Sequence, residues 1–237
     1  MGYESPMPVQ EEVIPFLLGD DNDVIALAQT GTGKTAAFGL PILQKIDVTT
    51  YHPQALVLCP TRELCLQIAD DLNDYSKYID NLKVLPVYGG SSIESQIKTL
   101  KRGVHVVVAT PGRLLDLMNR KTVDLSLVKN VIMDEADEML NMGFTDSINA
   151  ILAEVPENRN MLLFSATMPK EIANITKKYM KNPKEIVIGN KNEGNKNIRD
   201  IYYMVQARDK YLALKRIADF YPCLLYTSPS PRDLSTS

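Results

Sequence analysis

Six short apolar runs, each followed by a polar or glycine-bearing cluster and then by a helical pattern, constrain this chain more than any other feature. The runs span 24–27, 55–59, 83–87, 105–109, 130–133 and 161–164. Helical stretches lie between them, for example over 63–78, 92–100, 113–119 and 145–154. Strands that are apolar throughout and alternate with helices predict an α/β fold, a parallel β-sheet flanked by helices on both faces. In such sheets ligands bind beyond the carboxyl ends of the strands. The clusters that follow the runs are therefore expected along one rim. In chain order they are the segment after Leu27, Pro60-Thr61-Arg62-Glu63, Gly89-Gly90, Thr110-Pro111-Gly112-Arg113, Asp134-Glu135-Ala136-Asp137 and Ser165-Ala166-Thr167.

The first cluster, Ala28-Gln29-Thr30-Gly31-Thr32-Gly33-Lys34-Thr35, opens into the helical Ala36-Ala37-Phe38-Gly39-Leu40. Strand, tight loop and helix in that order make a phosphate cradle. Gly31 and Gly33 let the backbone curl so that several N–H groups face one anion. The helix start adds its positive dipole end and its unpaired N–H groups. Lys34 is then placed to reach the outer phosphates, and the Thr35 hydroxyl to ligate Mg²⁺. Ala28 stands where the common pattern has its first glycine. A plain Gly/Thr turn ending in a solvated lysine is the competing reading, and strand, paired glycines, Lys-Thr and helix together favour nucleoside triphosphate binding.

Charge limits what else the chain does. Its 237 residues carry 26 Lys plus Arg against 29 Asp plus Glu, a net charge of -3. A protein that held nucleic acid by bulk charge would be basic, so any such contact must come from a few placed groups. Apolar residues make up 45%, enough for a substantial core. The cysteines, Cys59, Cys65 and Cys223, have neither metal nor disulfide spacing, and Cys59 reads as a small core residue. No apolar stretch is long enough to span a bilayer, and no basic segment followed by an apolar run opens the chain. No membrane association and a cytoplasmic setting are the expectation.

Taken together, the clusters resemble the DEAD-box ATP-dependent RNA helicases, specifically their first RecA-like domain. Asp134-Glu135-Ala136-Asp137 spells the family's name, and Ser165-Ala166-Thr167, Pro60-Thr61-Arg62-Glu63-Leu64 and Thr110-Pro111-Gly112-Arg113 match further signatures in order. Gly2-Tyr3-Glu4-Ser5-Pro6-Met7-Pro8-Val9-Gln10 is similar to the family's adenine-reading motif, with Met7 in place of its usual Thr. The resemblance covers about residues 1 to 220. It implies a RecA-like ATP-binding helicase domain over 1–189, a linker over 190–197 and the first strand and helix of an incomplete second RecA-like domain over 198–222. Residues 198–205 read as that strand and 207–221 as that helix. The tail 223–237, with two Ser-Pro steps and a Ser/Thr-rich end, cannot supply a sheet and is expected to be non-native, similar to translated adaptor read-through.

Roles follow residue by residue. Asp134 ends an apolar strand and suits a Mg²⁺ ion, which takes few carboxylates and keeps its waters. Glu135 is placed to orient or deprotonate the water that attacks the γ-phosphate. A solvated acidic helix start is the competing reading for these residues. Lys34, Asp134 and Glu135 form the expected catalytic set. Tyr3, Gln10, Thr30, Gly31, Thr32, Gly33, Lys34 and Thr35 are expected to hold ATP, with Thr35 and Asp134 on the metal. By resemblance, Asp137, Ser165 and Thr167 couple ATP status to RNA, although Ser165 and Thr167 also read as an ordinary helix cap before Pro169. Thr61, Arg62, Gly89, Gly90, Thr110 and Arg113 are the expected RNA contacts, sequence-independent because they meet the backbone. For Arg62 and Arg113 a solvated or ion-paired surface residue is the alternative. The implied function is ATP-dependent RNA duplex opening or ribonucleoprotein remodelling. With most of the second domain missing, this chain alone is expected to unwind nothing. The alternative is a nucleotide-dependent RNA-binding module without turnover.

Overall fold

A computed structural model of the chain describes residues 5–19, 23–188, 201 and 203–220. Tyr3, the expected linker 190–197 and the tail 223–237 lie outside the described residues. The chain divides into two units, Met1–Glu193 and Gly194–Ser237.

In the first unit every strand pairing is parallel. The sheet holds β1 (Val24–Leu27), β2 (Ala55–Leu58), β3 (Val84–Val87), β4 (Val106–Ala109), β5 (Asn130–Met133), β6 (Asn160–Ser165) and β7 (Lys184–Val187), in the order β3-β4-β2-β5-β6-β1-β7. Alternate strand residues point to opposite faces. Val24 and Ala26 join one core with α1 (Pro8–Gly19), α2 (Lys34–Gln44) and α3 (Arg62–Tyr75). Ile25 and Leu27 join the other, closed by α5 (Pro111–Asn119), α6 (Ala136–Asn141), α7 (Thr145–Glu154) and α8 (Lys170–Tyr179). Isoleucines of α4 (Ile93–Lys101) pack against that second core. Phe38 on α2 and Phe164 on β6 are fully buried with ring centroids 5.3 Å apart. Burial of each ring contributes about 1.5–3 kcal/mol, and the tilted contact adds to that.

The six expected strands form within a residue or so of their expected ends. In the run 55–59 the strand stops at Leu58, yet the Cys59 N–H still donates to the Ala109 carbonyl at 3.0 Å. Both outer strands are blunted. On β3 the Lys83 and Val87 carbonyls accept bonds from the β4 side, so Val84 and Pro86 face the open edge, where Pro86 offers no N–H. On β7, which the six-run reading omits, Lys184 and Glu185 are exposed and only Ile186 is buried.

The second unit contains a 3-10 turn at Ala207–Asp209 and α9 (Lys210–Phe220). The helix expected over 207–221 is therefore present in its described part. The strand expected over 198–205 is not seen at 201 or 203–205. A strand is defined by a neighbour that takes its ladder bonds, and none exists among the described residues of this unit.

Candidate functional site

Because all strands run the same way, the segments after them share one rim, as the alternation predicts. Strand order fixes their sequence along it: Gly89-Gly90, then Thr110, Thr61-Arg62, Asp134-Glu135, Ser165-Ala166-Thr167, and the loop 28–35. The loop and the two acids are thus separated by a single strand, β6.

Gly31 and Gly33 adopt left-handed φ values of 80° and 84°, where a side chain is disfavoured. Thr32 Oγ1 donates to the Gln29 carbonyl at 2.7 Å and tightens the turn, and α2 starts directly at Lys34. Gln10, buried on α1, braces the loop from outside. Its Nε2 donates to the Gly33 carbonyl at 3.1 Å while its Oε1 accepts the Met7 N–H at 3.0 Å. A Cβ on Gly33 would stand 2.5 Å from Gln10 Nε2. Gly33→Ala therefore combines backbone strain with a displaced brace, and should cost about 1–3 kcal/mol. An unchanged melting temperature in that variant would contradict the described packing.

Lys34 and Asp134 meet inside the molecule. The Lys34 Nζ lies 3.6 Å from Asp134 Oδ1 and 3.5 Å from the Ala28 carbonyl, with the two residues 6% and 3% exposed. Asp134 is anchored by its N–H to the Leu58 carbonyl, and its Oδ1 accepts the Glu135 N–H at 3.0 Å. Burial pushes the Asp134 carboxyl above its ordinary range, with Lys34 pulling the other way and Glu135 adding to the rise. Desolvation therefore outweighs the ion pair here. A carboxylate held in this condition, beside Lys34 at the start of α2, has the hard-oxygen chemistry that a small divalent cation seeks.

Glu135 has φ 51° and ψ 51°, a left-handed conformation rare for a non-glycine residue. It is the residue before α6, and Thr30 Oγ1 donates to its Oε1 at 3.4 Å. Strain of this kind costs about 1–3 kcal/mol and gathers at functional sites. Two residues on, Asp137 binds the segment after β6. Its Oδ2 accepts from the Thr167 N–H at 2.9 Å and from Thr167 Oγ1 at 2.8 Å. Ser165 Oγ accepts the Asp137 N–H at 3.3 Å and donates to the Thr167 carbonyl at 2.7 Å. The side chains of Ser165 and Thr167 thus join two rim segments, whereas α8 begins after Pro169 with no side-chain cap.

The other half of the rim is built around two arginines. Arg62 lies over the Tyr88 ring, 5.0 Å from its centroid, and Thr61 caps α3 by accepting the Leu64 N–H. Arg113 Nη1 donates to the Ser91 carbonyl and to Gln96 Oε1, both at 3.1 Å. Buried Gln96 in turn donates to the Tyr88 carbonyl at 3.1 Å. Together Arg113 and Gln96 hold the turn that presents Gly89 and Gly90, the latter at φ 80°. Gln96 is absent from the expected set, since a glutamine on an amphipathic helix carries no signal of its own.

Comparison with known proteins bears on the whole arrangement. A family model described as DEAD/DEAH box helicase matches residues 7–175. The chain is 50% identical over 222 residues to the ATP-dependent RNA helicase DeaD of Mycobacterium tuberculosis, covering 94% of this chain and 39% of that protein. It is 48% identical over 219 residues to the DEAD-box ATP-dependent RNA helicase CshA of Bacillus cereus, covering 92% and 41%. A crystal structure of a DEAD box protein from the hyperthermophile Methanococcus jannaschii superposes with a TM-score of 0.76 at 43% identity, over 92% of this chain and 58% of that one. This chain spans about two-fifths of the length of those curated relatives. Motif order, sheet topology and these matches agree, and the chain belongs to the DEAD/DEAH box helicase family.

Proposed function

We propose that this chain is the ATP- and RNA-gripping RecA-like domain of an ATP-dependent RNA helicase. The observation that carries the reading is the buried approach of Lys34 to Asp134, at 3.6 Å, beside a loop with two left-handed glycines. In this reading the loop N–H groups of residues 30–35 surround the phosphates and Lys34 leaves Asp134 to contact the outer ones. Thr35 and Asp134 would hold Mg²⁺, which would supply neutralisation of the negative charge on the phosphates. Glu135 orients the attacking water and accepts its proton as the bond from the γ-phosphorus to the bridging oxygen breaks. Asp137, Ser165 and Thr167 pass changes at the phosphates along the rim. Thr61, Arg62, Gly89, Gly90, Thr110 and Arg113 contact ribose and phosphate, giving grip without a base code. Tyr3 and Gln10 read adenine. Opening of duplexes requires a second RecA-like domain to close on the first, and a cytoplasmic site of action is in keeping with this chemistry.

Titration of the chain with fluorescent ATP and GTP analogues tests this. Binding should require magnesium for full strength and favour ATP, and Gln10→Ala should erase the preference for adenine. Equal affinity for both bases in the unaltered chain would remove Gln10 from the role, and no nucleotide binding at all would remove the function.

A further inference from the structure

The rim opposite this site, at the amino ends of the strands, carries a groove that the helicase reading does not use. Tyr51 and His52, just before β2, face Lys101, Arg102 and Gly103, which end α4 and lead into β4, across a cavity of about 340 Å³. The segment 122–124 closes its floor. Tyr51 is 47% exposed, and Lys83 Nζ sits 5.2 Å from its ring centroid. The seat of this ring is specified: Gly103 has φ 85°, and a Cβ there would stand 2.6 Å from Tyr51 Cβ and 2.9 Å from its carbonyl oxygen. His105 backs the ring at 5.5 Å.

The charge of this place is local. The chain as a whole is acidic, at -3, yet Lys101 and Arg102 line the groove, and Lys98 lies with them along an adjoining depression that Glu94 also lines. Asp124 is the one acid among the groove's described lining residues, and its carboxylate accepts the Ser126 N–H at 2.9 Å. The dipole of α4 favours lysines in its last turn. That accounts for their sign, but it does not account for a half-exposed aromatic ring that lines the same groove beside Lys83.

A half-exposed ring beside exposed cations is what a sequence-tolerant single strand requires, with a base on the ring and phosphates on the cations. A peptide of acidic residues would use the cations and leave the ring without a role. We propose that this groove is a second contact site for single-stranded nucleic acid, on the rim away from the nucleotide loop. The site goes beyond the function proposed above and stands without it.

The test measures binding of a fluorescent oligouridylate to the whole chain over a range of salt, with thermal melting as a control for folding. Lys101→Gln combined with Arg102→Gln removes two phosphate partners, so the slope of log K against log salt should fall in magnitude by about 1.4, at about 0.7 per phosphate. Tyr51→Leu should weaken binding by about fivefold or more with the slope unchanged. If that variant melts early, the double variant decides alone, since its two side chains are exposed. Arg62→Gln, on the other rim, serves as the comparison. Binding that falls in Arg62→Gln but keeps its affinity and slope in the double variant returns the strand to the carboxyl rim and overturns the proposal. Binding of a polyglutamate peptide as tight as that of the oligouridylate also overturns it, in favour of an acidic protein partner.

Discussion

Glu135→Gln should leave nucleotide binding within a few-fold of the unaltered protein while lowering ATP turnover about 10²–10⁴-fold, the range for loss of a positioned general base. Gln keeps the oxygen that accepts from Thr30 Oγ1 and keeps the shape of the side chain, so the left-handed turn before α6 has no new reason to fail. The carboxylate that meets Lys34 belongs to Asp134, one residue earlier, so the phosphate grip is not altered directly. Single-turnover hydrolysis in a full-length protein carrying this chain measures the effect, with melting temperature as the control. Turnover within about tenfold of the unaltered protein would mean that some other group handles the water.

The second large effect concerns stability. Lys34→Met and Asp134→Leu should each destabilise the fold by about 3–5 kcal/mol, because each strands a buried charge. The double variant should be near the unaltered stability, or above it by about 1–4 kcal/mol, because two apolar side chains need no desolvation. The sign for Asp134 follows from its raised carboxyl, which lies above the ordinary 3.8 in the folded state. Its contribution is fully present in acid below that value and is lost as pH rises through the folded value. The penalty in Lys34→Met should accordingly be smallest in acid and grow toward neutrality. Urea unfolding at several pH values reads all three variants. A double variant as unstable as the two singles summed would show that the groups do not interact.

Much of this architecture is written in local pattern. The runs at 24–27 and 130–133 are apolar at nearly every position because helices cover both faces, and such runs declare a parallel sheet. β7 declares nothing, because it covers one face at an outer edge and buries only Ile186. The common rim follows from parallel direction, but neighbour order along it depends on crossovers, which leave no mark in composition. That Lys34 meets Asp134 is an expectation from motif chemistry; that burial overcomes their attraction depends on packing from many distant residues. Gln96 shows the same limit in the other half of the rim. Its value lies in two partners, the Tyr88 carbonyl and Arg113, that come together only in the folded chain. The alternative cap reading of Ser165 and Thr167 fails for a similar reason, since Asp137, 28 and 30 residues away, claims both side chains.

The outer strands have a consequence for assembly. With Pro86 at one margin and Lys184 and Glu185 at the other, the sheet offers poor terms to any strand that would extend it. A neighbouring body is thereby steered away from main-chain fusion and toward contact through side chains and bound ligand. Junctions of that kind can part and re-form without unravelling either partner.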